Sequence, residues 1–155
     1  MNKRKLKLSN YGISGKRYKE LCGFCEQYPE WKQELAFKID TLKSKEITDM
    51  PLVPHGNSDA TGDLAIRRVL LQEKIKIVEE TAKETDEYYA PYLIKNICYG
   101  VPINYLINIE GMPTSERTFF DYRRFFFYLL DQKKKMWQFC DVGWLYTIYS
   151  GNGIG

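Results

Sequence analysis

The sequence predicts an all-α protein: a helical hairpin, a long central helix and a C-terminal three-helix unit of the helix-turn-helix kind, followed by a short irregular or β-like tail. Apolar residues recur at spacings of three and four along most of the chain. Prolines and glycines cluster at the borders of those runs. The chain of 155 residues is 44% hydrophobic and 15% aromatic, enough to bury a core and too aromatic to stay disordered.

Residues 1–12 read as a basic flexible arm, and residues 13–45 as a helix pair. Ser14 is placed to cap the first helix, whose apolar positions are Tyr18, Leu21, Cys22, Cys25 and Tyr28. Pro29 suits the first turn of the second helix, where a missing N–H costs nothing. Trp31, Leu35, Ile39 and Leu42 mark the apolar face of that helix. Residues 46–62, rich in Pro, Gly, Asn and Asp, form a loop or hinge.

The long helix starts near Ser58 or Thr61 and ends about Thr85, with its body at 63–85. Leu64, Leu71, Ile75, Val78 and Ala82 line one face, and Ile66, Leu70 and Ile77 another. Two apolar faces imply two neighbours. The seven-residue spacing of Leu64, Leu71 and Val78, with Ile75 beside them, fits a homodimer seam; a helix buried within one chain gives the same pattern.

Residues 86–135 hold the helix-turn-helix unit. Pro91 opens its first helix and Gly100 stops it. Ile103–Ile109 is short, with Tyr105, Leu106 and Ile109 expected inward. Gly111 and Pro113 make a turn, and Thr114 or Ser115 caps a last helix from Glu116 to about Asp131. Residues 136–155 form an aromatic tail. Its Trp137, Phe139, Trp144 and Tyr146 are of the types that anchor protein interfaces, although they would serve equally to cover the bundle.

Charge is uneven although the net is only +3. Residues 1–20 carry seven bases and one acid, residues 73–90 six acids and three bases, and residues 112–135 six bases and three acids. Both basic stretches are suited to an anion. No apolar run is long enough to span a bilayer, and no secretory signal is expected, so the reading is a cytoplasmic protein with reduced thiols; the bacterial host follows only from the family resemblance given below.

No catalytic set emerges, and neither enzymatic activity nor a cofactor is expected. Cys22 and Cys25 form C-x-x-C, but a second ligand pair is missing, and the helical spacing places Cys25 on a core face. His55 stands in a loop without a nucleophile motif. Asp49, Asp59 and Asp63 suit turns and helix starts. The "GNGIG" at 151–155 lacks a following helix in this sequence, so it is no phosphate loop.

The stretch "SERTFFDYRRFFFYLL", Ser115–Leu130, carries the functional reading. Wound as a helix, it places Phe119, Tyr122, Phe126 and Leu129 on one face and Arg117, Asp121 and Arg124 on another, with Thr118 at its edge. Phe120 and Phe127 define a third. That division suits a recognition helix in a DNA major groove, with Ser115, Arg117, Thr118, Asp121 and Arg124 toward the duplex. Lys3, Arg4, Lys5, Lys133, Lys134 and Lys135 would neutralise phosphates. Three-helix packing around a plain solvated face would produce the same spacing.

Together with "YPEWKQEL" (Tyr28–Leu35), "GNSDATGDLAIRR" and "KIKIVEETAKE", this stretch resembles small regulators of the RinA/ArpU type, encoded by phages and prophages. The resemblance runs in order and spacing from about Tyr11 to Lys135. It implies a sigma-factor-like helix-turn-helix, double-stranded DNA as partner and control of late-gene transcription. The part from Trp137 onward has no counterpart in that family. The bulky aromatics of the unit also leave a second function open, an interaction factor that modulates a host nucleic-acid enzyme.

Overall fold

The computed structural model describes residues 8–43 and 58–150, with side chains at 8–37 and 62–138. Among these residues the protein is all-α. A 3₁₀ turn, Leu8–Tyr11, precedes α1 (Gly15–Glu26), α2 (Tyr28–Lys43), α3 (Ser58–Thr85), α4 (Ala90–Tyr99), α5 (Ile103–Asn108) and α6 (Glu116–Ser150).

Local chemistry sets these borders. The Ser14 hydroxyl accepts from the Arg17 N–H, capping α1. Pro91 stands in the first turn of α4, and Gly100 ends that helix in the left-handed region at φ +68°. The side chain of Ser115 accepts from the Thr118 N–H at the start of α6. The α5–α6 connection is stiff. Gly111 turns it at φ +69°, the Met112 N–H reaches the Leu106 carbonyl, and the buried Met112 side chain plugs the corner. The Tyr89 hydroxyl donates to the Pro113 carbonyl, tying the same corner to the start of α4.

The core lies where α1, α3, α4 and α6 meet. Leu21, Val78, Leu93, Leu106, Phe119, Phe126, Phe127 and Leu130 are fully buried within it. Each such side chain contributes about 1.5–3 kcal/mol of transfer free energy. Aromatic edges fit around them: Tyr18 meets Phe127 and Phe126 meets Phe127, both near perpendicular. Thr81 and Thr85 are buried polar residues whose hydroxyls donate one turn back, to the Ile77 and Thr81 carbonyls.

Three expectations are corrected. First, α6 does not stop near Asp131 to give an irregular or β-like tail; its backbone stays helical through Ser150. No proline interrupts "QKKKMWQFCDV", and Lys, Met and Gln favour helix. Second, of the two readings of the seam at Leu64, Leu71, Ile75 and Val78, packing within one chain is the one the structure describes. Leu71, Ile75 and Val78 are buried in the single chain and Leu64 is half-buried. Both neighbours the pattern demanded are internal, since α3 packs against α2, α4 and α6. Of the second face, Ile77 is buried, whereas Ile66 and Leu70 are exposed. Third, Tyr105 and Ile109 point outward; within α5 only Leu106 is buried, because one short helix presents one residue to the core.

Candidate nucleic-acid interface

The first three turns of α6 span about 15 Å. Their inner side is anchored by Phe119 and Phe126. Their outer side carries Arg117, Thr118 and Asp121, all exposed, with Arg124 partly exposed beside them and Ser115 exposed at the cap. The aromatic and basic residues divide the helix as the spacing predicts. Arg124 donates from Nη1 to Asp121 Oδ1 at 2.6 Å. Arg123 is turned toward α1: its Nη2 donates to the Tyr18 hydroxyl, and its guanidinium lies over the Phe127 ring.

One turn further on, the outer side is covered. The Tyr11 ring packs on Tyr128 with centroids 5.2 Å apart, and Phe125 stacks on the same tyrosine. The 3₁₀ turn thus crosses α6 just after Arg124. It fixes where the preceding residues join the body of the protein. Lys3, Arg4 and Lys5 lie outside the described residues; Leu8 packs against the core, and Tyr11 of the same 3₁₀ turn packs on Tyr128 of α6. Exposed Lys16 and Lys19 follow on α1.

The lysine run behaves differently from its sequence reading. Lys134 is buried; its ammonium group lies 3.3 Å from Glu20 Oε1 and 4.4 Å from the centre of the Phe24 ring. Lys133 donates to Glu84 at 2.7 Å and approaches Glu80. Lys135 pairs with Asp131 at 2.8 Å. These three lysines hold α6 to α1 and α3 and to itself. The acidic stretch of α3 is therefore partly an internal counter-charge. Spacing could not reveal this, because the run's position at 133–135 gives no sign of which turn faces the neighbouring helix.

Behind the face sits a compact charge cluster that sequence reasoning missed. Asp131, 2% exposed, accepts from Arg17 Nε at 2.6 Å as well as from Lys135. Arg17 also reaches both oxygens of Glu20 at 2.8 Å. Burial pushes the Asp131 carboxyl up, but hydrogen bonds from Lys135 and Arg17 outweigh it and leave its pKa below the usual value. The spacing gives no sign of it, because Asp131 stands seven residues after Arg124, in the register of the outer face, and is buried only where α1 covers that face.

Elsewhere, a groove of about 780 Å³ is lined by Tyr28, Ile94, Tyr99, Tyr105 and two prolines, with the Lys95–Glu110 ion pair at its edge. None of its lining residues belongs to α6. Burial and the bond to Glu79 raise the Tyr28 phenol to about 12, so it donates to Glu79 throughout the ordinary pH range. Cys25 and Cys98 are buried core thiols. No group of three or more His, Cys, Asp or Glu among the described residues could hold a metal ion, and no described helix is long and apolar enough to cross a membrane. His55, the side chains of Phe139, Cys140, Trp144 and Tyr146, and residues 151–155 lie outside what is described; Trp137 is half-buried against the core.

Comparison with family models, curated proteins and solved structures finds no match.

Proposed function

We propose that the protein is a DNA-binding transcriptional regulator of phage or prophage origin that lays the first three turns of α6 in a major groove. The observation that supports it is the division of α6: rings locked inward, Arg117, Thr118, Asp121 and Arg124 outward, on a helix whose entry is fixed by a stiff corner. A rigidly held helix start with exposed polar side chains is what groove reading requires. The junction of the basic arm beside that face adds a second site of attachment, since an arm that leaves next to a recognition helix can reach the adjoining minor groove.

Phosphate neutralisation then falls to the arm and to Lys16 and Lys19, with Lys133–Lys135 engaged internally. The resemblance to RinA/ArpU-type regulators supports late-gene control as the output. The runner-up is an interaction factor that binds a protein of the nucleic-acid machinery; it draws on the tyrosine-lined groove, which lies away from α6.

Fluorescence anisotropy with a labelled random-sequence duplex at about 50 mM salt tests the reading. Binding that weakens steeply as salt rises is expected, with Arg117→Ala relaxing sequence preference. No detectable binding at low salt would end it.

A further inference from the structure

Asp121 is out of place on a surface built to meet a polyanion. It stands between Arg117 and Arg124, half-exposed, where a carboxylate repels phosphate. No helix cap or core packing explains it; its carboxylate accepts from Arg124 Nη1. The bridge joins residues three apart on one exposed helical face, so as a plain surface pair it adds little to stability.

What the bridge does constrain is the guanidinium. Arg124 is 23% exposed, and its bond to Asp121 is made through Nη1, so the bridge itself does not use Nε or Nη2. An arginine side chain free in solution must lose rotamer freedom to make two parallel hydrogen bonds. One already held by a carboxylate has lost much of it beforehand. The planar fork that remains matches the O6 and N7 acceptors of guanine, the pairing arginine makes most often in a major groove.

Resting on the DNA-binding reading above, we propose that Asp121 is a positioning residue that holds Arg124 for bidentate recognition of one guanine. The carboxylate costs non-specific affinity and returns discrimination. It repels the backbone of every duplex equally, and aligns a donor pair that only guanine satisfies. A merely structural aspartate has no such double effect.

The test is selection of bound duplexes from a random pool, followed by anisotropy titrations of the selected site. Three substitutions of that site's guanine are compared: adenine, 7-deazaguanine (which lacks N7) and an unrelated base pair. Wild type should prefer guanine over adenine by about tenfold or more, and lose several-fold on 7-deazaguanine. Arg124→Ala should bind all of them alike. Asp121→Ala should bind random duplex as well as or better than wild type, yet lose about twofold of the guanine preference, the most a weak surface bridge can pre-organise; Asp121→Glu should restore part of it. Asp121 is exposed and Arg124 partly exposed, and circular dichroism melting should show each variant folded.

Two failures separate cleanly. If wild type binds no duplex, the DNA-binding reading itself falls. If wild type selects a site but Asp121→Ala retains the full guanine preference, or random-duplex affinity falls with it, the positioning role is overturned and the reading stands.

Discussion

Asp131 shows how a single side chain can matter without touching a ligand. It is nearly inaccessible and takes two cationic donors, so Asp131→Ala removes a buried acceptor from Arg17 and Lys135 and leaves Arg17 only its pair with Glu20. Breaking a fully buried pair from one side costs about 3–5 kcal/mol; the cost here is smaller because Arg17 and Lys135 keep access to water, and urea denaturation at neutral pH reads it. The pH dependence follows from its depressed pKa. The folded state favours the ionised form more than the unfolded chain does, so the stabilisation is complete above the unfolded aspartate's titration range. It disappears as pH falls through the lower folded value. Asp131→Asn should therefore be less stable than wild type at neutral pH, and the gap should close below about pH 4. Lys134 carries the opposite lesson about charge. Its stem and ammonium group fill the space beside Phe24 and Glu20. Lys134→Ala should lower unfolding stability by about 1–2 kcal/mol by removing that packing. Duplex affinity, measured by anisotropy on folded protein, should change less than about twofold, since this lysine faces α1 rather than the duplex. From the sequence alone the three lysines look equivalent.

The elements were far more legible than their neighbours. Ser14, Pro91, Gly100 and Ser115 stand at the helix borders their chemistry predicts, because capping depends on a few adjacent residues. Periodicity also marked the inward face of α1 and the inward Phe119 and Phe126 of α6, although it missed the buried Leu130. What it could not supply is the partner of each face. The heptad at Leu64, Leu71 and Val78 states that α3 has a seam and is silent on whether the seam's other side is this chain or a copy. The tail failed for a different reason. Its aromatic residues are good strand formers in isolation, but they follow an uninterrupted helix, and extending a helix costs less than starting a new element. The α5–α6 corner makes this scale testable. Gly111 occupies a left-handed conformation, and a Cβ there would meet no atom within 4 Å. Gly111→Ala should thus cost about 1 kcal/mol from backbone strain alone. If α6 enters a groove as proposed, the corner sets its angle, and the same variant should lose sequence discrimination by more than its fold loses stability. Thermal melts and anisotropy on one preparation compare the two.

At the scale of the whole molecule, a net charge of +3 understates the field that a duplex would meet. Acidic α3 is engaged with Lys32, Lys133 and its own Lys76, which leaves much of the negative charge on the body neutralised from within. The unbalanced positive charge is concentrated at the N-terminus, where residues 1–7 hold Lys3, Arg4, Lys5 and Lys7 and no acid. The 3₁₀ turn attaches that segment next to the open side of α6 through Tyr11 and Tyr128. Affinity and specificity should therefore be separable by region. Replacing Lys3, Arg4 and Lys5 together with alanine removes three counter-charges. The slope of log K against log salt should become shallower by about 0.9 for each phosphate the arm ceases to neutralise, close to three units if all three side chains engage. Base preference, which the proposed reading assigns to α6, should survive in the weakened protein. A slope that stays unchanged would move phosphate neutralisation to the body instead, with Lys16 and Lys19 of α1 the exposed bases placed to supply it.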